Sequence, residues 1–197
     1  MKAQKGLVPM VVVMIVLAVV LVFAVLVMVI RELMIAAPTI TNDFSSNPKG
    51  SELLANMKAA GLDSLSEEGT LQHTHQHLDL IINGESIAIP ANIGIDSDFI
   101  SPIHTHDEPN ILHVESPKVK DFTLGQFFTE WGITFNEQCV GNYCAGMGSK
   151  IFVAINGDPV DNPVSYVLKE RDEIEIWYGP IDQTPIVIRS YEFPTGL

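Results

Sequence analysis

Residues 6–30 carry no charged side chain, and most positions are Val, Leu, Ile, Met or Ala, so a helix built from them has no polar face. Such a helix would be about 37 Å long, enough to cross a hydrocarbon core of about 30 Å with some tilt. Pro9 falls in its first turn, where a missing N–H costs little. The run is longer than the apolar core of a cleaved signal peptide, and Ile35-Ala36-Ala37 before Pro38 is a poor cleavage site. Residues 1–37 are therefore expected to form an uncleaved single-pass anchor. Residues 38–70 hold Pro38, Asn47-Pro48, Lys49-Gly50, Gly61 and Glu67-Glu68-Gly69, and read as a tether. One short helix is expected within them, capped by Ser51 and stopped at Gly61.

From Leu71 the pattern alternates with period two, and residues 71–197 read as one domain. Over residues 72–83, His73, His75, His77, Asp79 and Ile81 would share one face of a strand, while Leu78, Leu80 and Ile82 take the other. Asn83-Gly84 is a strong two-residue hairpin turn, with residues 86–89 returning. Residues 99–106 and 111–115 form a second expected hairpin around Asp107-Glu108-Pro109-Asn110. Thr123-Leu124-Gly125-Gln126 has the capping-box pattern and opens a short helix through Phe127, Phe128 and Trp131 to Gly132. Residues 151–155, Asn156-Gly157 and residues 173–178 supply the last strands. The acidic run 170–175, broken by Arg171 and Ile174, reads as a solvated strand edge. Strands, a helix and more strands describe a small α+β domain, a mixed sheet with one packed helix.

The chain has 197 residues, 47% of them hydrophobic, which supports a core of modest size. Its formal charge is −13; setting aside Lys2, Lys5, Arg31 and Glu32 leaves 8 basic and 23 acidic side chains, or −15, for the remainder. So acidic a domain argues against nucleic acid and anionic lipid headgroups as partners and favours a cation. Lys2 and Lys5 precede the apolar run, whereas Arg31 is offset by Glu32. The positive-inside tendency then keeps the N-terminus cytoplasmic and places residues 38–197 outside the membrane. In an exported domain, Cys139 and Cys144 are most simply a disulfide around a small loop; free thiols or a thiolate ligand are the alternatives.

All six histidines lie between residues 73 and 113: His73, His75, His77, His104, His106 and His113. Strand residues two apart sit about 6.6–6.8 Å apart on one face, so the imidazoles of an H-x-H pair can reach one ion at about 2.0–2.1 Å. His73 and His77 are about 13 Å apart by the same rise and would not share an ion. A four-residue loop at 107–110 puts His104 opposite His113, so His104, His106 and His113 converge, with His75 or His77 completing or bridging the site. Asp79 and Asp107 could accept the second ring N–H of a ligating histidine, though Asp107 also suits a turn. Imidazole donors suit copper, zinc, nickel and iron, and the stability order favours copper over zinc. A hydrogen-bonded polar network or a solvated strand edge is the alternative. The sequence has no phosphate loop, G-x-S-x-G or H-E-x-x-H.

Five stretches occur in order: His73-Thr74-His75-Gln76-His77-Leu78, Ile89-Pro90-Ala91-Asn92-Ile93-Gly94-Ile95, Ile103-His104-Thr105-His106-Asp107, His113-Val114-Glu115-Ser116 and Phe122-Thr123-Leu124-Gly125-Gln126-Phe127-Phe128. Across residues 72–135 they resemble a family of small membrane-anchored or exported bacterial and archaeal proteins. The resemblance implies a shared histidine-rich site and supplies no reaction. Related sequences usually carry Gly in the turn after Asp107; Asn110 tolerates the same left-handed backbone. Residues 151–157, 166–168 and 172–176 resemble the closing half of β-grasp domains, but the Gly196-Leu197 end lacks the paired glycines of sulfur carriers. Three functions fit: a membrane-tethered domain that captures, stores or delivers copper or zinc; an accessory subunit of a membrane protein complex; and a metalloenzyme with an open coordination position.

Overall fold

A computed structural model describes residues 7–35, 41–107, 109–185 and 187–197. Lys2, Lys5, residues 38–40 of the expected tether and Glu108 of the expected loop lie outside that description. The chain divides into two units, residues 1–37 and 38–197. In the first, α1 (Leu7–Ile35) is long and apolar enough to cross a membrane over Val11–Ile30.

The second unit is α+β. In chain order it comprises α2 (Gly50–Ala60), β1 (Gln72–Ile82), β2 (Glu85–Ile87), β3 (Ile103–His104), β4 (Ile111–Ser116), α3 (Leu124–Trp131), β5 (Cys139–Val140), β6 (Tyr143–Cys144), β7 (Ser149–Ile155), β8 (Asp158–Pro159) and β9 (Asp172–Pro180). The main sheet runs β3-β4-β1-β9-β7-β8, with β2 also on β1. At its centre β1 and β9 are parallel, and each has an antiparallel neighbour outside it, β4 and β7. The sheet is therefore mixed, as expected.

Each long strand divides its side chains as the alternation requires. Leu78, Leu80 and Ile82 of β1, Leu112 and Val114 of β4, and Ile174 and Ile176 of β9 face one fully buried core. Asn83 (φ 53°) and Gly84 (φ 86°) close the β1–β2 turn in the left-handed region, where a larger side chain would be strained. Helix α3 starts with the complete capping box: Thr123 Oγ1 accepts from the Gln126 N–H, and the Gln126 side chain accepts from the Thr123 N–H. It ends at Gly132 (φ 76°), which turns the chain away after Trp131 has been buried. Cys139 and Cys144 pair across a short hairpin with their sulfurs 2.05 Å apart.

Residues 41–70 are not a free tether. Leu53 and Met57 of α2 are buried in the core, and α2 packs on α3, so the sheet carries two helices where one is expected. The N-terminus of α2 is also held differently: Ser51 does not cap it, and Asp96 Oδ2 accepts the Gly50 N–H at 2.7 Å from 46 residues away. Nor is the acidic run a solvated edge. Strand β9 is central, and Asp172, Glu173 and Glu175 are all buried. On the sheet face opposite the helices, the C-terminal segment covers this part of β9: the Ile188 N–H donates to Glu175 Oε2 at 2.9 Å.

If α2 belongs to the core, Leu53→Ala should cost about 2–5 kcal/mol of unfolding free energy, the usual range for a buried leucine truncation. Urea denaturation followed by circular dichroism measures it. A change within about 0.5 kcal/mol, typical of an exposed position, would return the segment to a tether.

Candidate metal centre

The sheet face opposite the helices carries the histidines, because the alternate positions of the same strands, Leu78 and Leu80 of β1, Ile103 of β3 and Leu112 and Val114 of β4, are committed to the core. Register brings three abreast: His75 of β1 pairs with His113 of β4, which pairs with His104 of β3. The rings touch accordingly, with centroids 4.7 Å apart for His75 and His113 and 5.6 Å for His104 and His113. One step along, His73 lies opposite Glu115. His106 follows His104 past the end of β3, and Thr105 between them is tied back through its hydroxyl to Pro90 O at 2.8 Å.

Donor atoms gather at two points. His73 Nε2 lies 3.1 Å from His75 Nε2, and His104 Nε2 lies 3.1 Å from His106 Nε2. With metal–nitrogen bonds of about 2.05 Å, that spacing corresponds to an angle of about 98° at the ion, between the square-planar and tetrahedral values. His113 and Glu115 belong to both gatherings: His73, His75, His113 and Glu115 form one group with donors within 4.8 Å of one another, and His104, His106, His113 and Glu115 form another.

Hydrogen bonding sets the tautomer of His104. Its Nδ1 is 2.9 Å from Ser101 O, which can only accept, so Nδ1 donates and Nε2 keeps a lone pair toward His106. The Ser101 hydroxyl in turn donates to Glu130, which is wholly buried behind the site and has its pKa raised well above the usual carboxylate value by that burial. His113 is buried, and neither of its ring nitrogens has a hydrogen-bond partner; Glu115 Oε1 comes to 3.4 Å of Nδ1 without forming one.

Burial, reinforced by the neighbouring His106 and His113, pulls the His104 pKa down to about 4. Burial and the His113 and His73 rings lower His75 as well. Glu115 is pushed up by burial, but the surrounding His113, His104 and His73 outweigh that and hold it below its ordinary value. The face therefore presents neutral imidazoles at His75 and His104 beside an anionic Glu115 near neutral pH. This set can bind a borderline transition-metal cation without first losing protons from His75 or His104.

His77 is not part of this group. Its Nδ1 is 2.9 Å from Glu173 Oε2 and 3.9 Å from Asp79 Oδ2, and its ring stacks on Tyr191 with centroids 3.7 Å apart. The parallel β1–β9 pairing puts Glu173 beside it, so His77, Asp79 and Glu173 form a separate group. Asp79 accordingly sits with His77 rather than behind the five other rings. Asp107 is exposed, and among the described residues it makes no hydrogen bond or ion pair with a histidine. Asn110 takes the expected left-handed conformation (φ 59°) and its side-chain oxygen accepts the Ile89 N–H, fixing the turn.

Glu115, Glu68 and Glu173 also approach the histidines, and the spacing of the histidines does not point to them. Glu115 had a readable signal, since it lies two residues beyond His113 on the same strand. Glu68 Oε1, 3.4 Å from His106 Nε2, and Glu173 arrive from distant segments. Comparisons of this chain with family models, with curated proteins and with solved structures found no match.

Proposed function

We propose that this protein is a membrane-tethered metal-binding protein whose histidine domain lies outside the cytoplasm, where it captures, stores or delivers copper in preference to zinc. The observation that carries this reading is five imidazoles converging on one sheet face, with His113 buried and neither of its ring nitrogens in a hydrogen bond. An imidazole nitrogen left without a hydrogen bond costs about 1–3 kcal/mol, and a cation held by the ring's lone pair removes that cost at the ligating nitrogen. Imidazole-rich sites rank copper(II) above the other divalent ions. The acidic surface concentrates cations near the site. The apolar α1, the lysines before it and the Cys139–Cys144 pair support a tethered domain in an oxidising compartment.

Full-length protein purified in detergent and exposed to copper in the presence of a competing chelator should bind it, and His104→Ala combined with His106→Ala should remove at least half of the bound metal. Elemental analysis per chain reads this directly, and unchanged content in the variant contradicts the assignment. Acidity provides a second check. Ligand imidazoles must be neutral, and lowering a histidine pKa extends the neutral form to lower pH. Affinity should hold from pH 8 to about 6.5, fall below that, and be lost by about pH 4, where His104 itself protonates. A chelator competition that stays flat from pH 8 to 5 would instead point to carboxylate ligands.

A further inference from the structure

We infer that the histidine face is built for two metal ions that share His113 and Glu115. This rests on the metal-binding reading of the same face and adds to it how many ions bind and which residues join them.

One ion does not reach the whole donor set: among the described residues the five imidazoles and the carboxylate fall into two overlapping groups, each with the four donors of a four-coordinate site. The donors also divide cleanly. His73 and His75 project from β1, His104 and His106 from β3 and the residues after it, and β4 lies between those strands. With strands spaced about 4.7–4.9 Å apart, the two pairs arise nearly 10 Å from one another. Among the described residues, no group within mutual reach contains both pairs, but each pair reaches His113 and Glu115 on the strand between.

His113 suits a shared role. Its Nδ1 faces Glu115 Oε1 at 3.4 Å, that oxygen is 3.1 Å from His73 Nε2, and the His113 ring lies 4.7 Å from that of His75, so it reaches the first gathering. The same ring lies 4.6 Å from that of His106 and 5.6 Å from that of His104, so it also reaches the second, and its buried Nε2, which makes no hydrogen bond, is free to bind there. A histidine with one structural task normally hydrogen-bonds through its other nitrogen, as His104 does to Ser101. When His113 binds through both nitrogens, each lone pair forms one metal–nitrogen bond and the remaining N–H proton passes to solvent. The metals keep their oxidation state. Glu115 adds an anionic oxygen to both positions. The exposed His73 and half-exposed His106 leave each position its own approach from solvent.

The test loads metal-free full-length protein in detergent with copper(II) sulfate against a competing chelator, and reads copper per chain together with the electron paramagnetic resonance signal. The expected result is two ions per chain, with an integrated signal well below that of two independent copper(II) ions because the shared ligands couple their spins. His73→Ala with His75→Ala, and separately His104→Ala with His106→Ala, should each bind one ion and regain a full single-copper signal. One ion per wild-type chain would overturn the two-ion inference and leave the metal-binding function standing. Two ions with a full, uncoupled signal would overturn the shared ligands. No bound copper would overturn the proposed function itself.

Discussion

The pleat of one strand constrains everything else in the domain. Strand β1 is packed on its even positions, where Leu78, Leu80 and Ile82 are buried. Each contributes about 1.5–3 kcal/mol when removed from water. A slip of one residue would move all of them to the opposite face, so the register is strongly specified. With the leucines committed to the core, His73, His75 and His77 have only the other face available. The same holds for β4, where Leu112 and Val114 go inward and His113 and Glu115 outward. The histidine face is therefore positioned by apolar burial on the far side of the sheet rather than by attraction among the rings.

Those rings are held close at some electrostatic cost. Packing His75 and His104 against the His113 ring takes them out of water and makes a positive charge on either of them unfavourable. The lowered pKa values of His75 and His104 express this, and Glu115 only partly offsets it. Neutral His75 and His104 rings beside an anionic Glu115 are poorly suited to binding anions and well suited to donating lone pairs. The hydrogen-bond chain from His104 through Ser101 to the buried Glu130 orients one of the rings from behind, an arrangement typical of metal-ligating histidines.

Local pattern made much of this legible. The alternation of β1, the Asn83-Gly84 turn, the capping box at Thr123 and the pairing of His104 with His113 all follow from residues close together in sequence. What was not legible depends on distant segments. Helix α2 reads as part of a tether because its residues are weakly hydrophobic overall; only packing against α3 buries Leu53 and Met57, and its N-terminus is held by Asp96 rather than by its own Ser51. The acidic alternation of residues 170–175 looks like a solvated edge until β9 is inserted between β1 and β7 and the C-terminal segment covers Glu175. His77 follows the same logic. Spacing alone offers it to the histidine face, but the parallel neighbour β9 brings Glu173 to 2.9 Å and Tyr191 stacks over the ring.

The central claim is that imidazole nitrogens from β1, β4 and the segment around β3 bind a metal ion directly. X-ray absorption fine structure of the copper-loaded full-length protein tests it without any substitution. The account predicts a first shell dominated by nitrogen at about 2.0 Å, with the outer-shell scattering of several imidazole rings. A first shell of oxygen alone, without imidazole scattering, would contradict it.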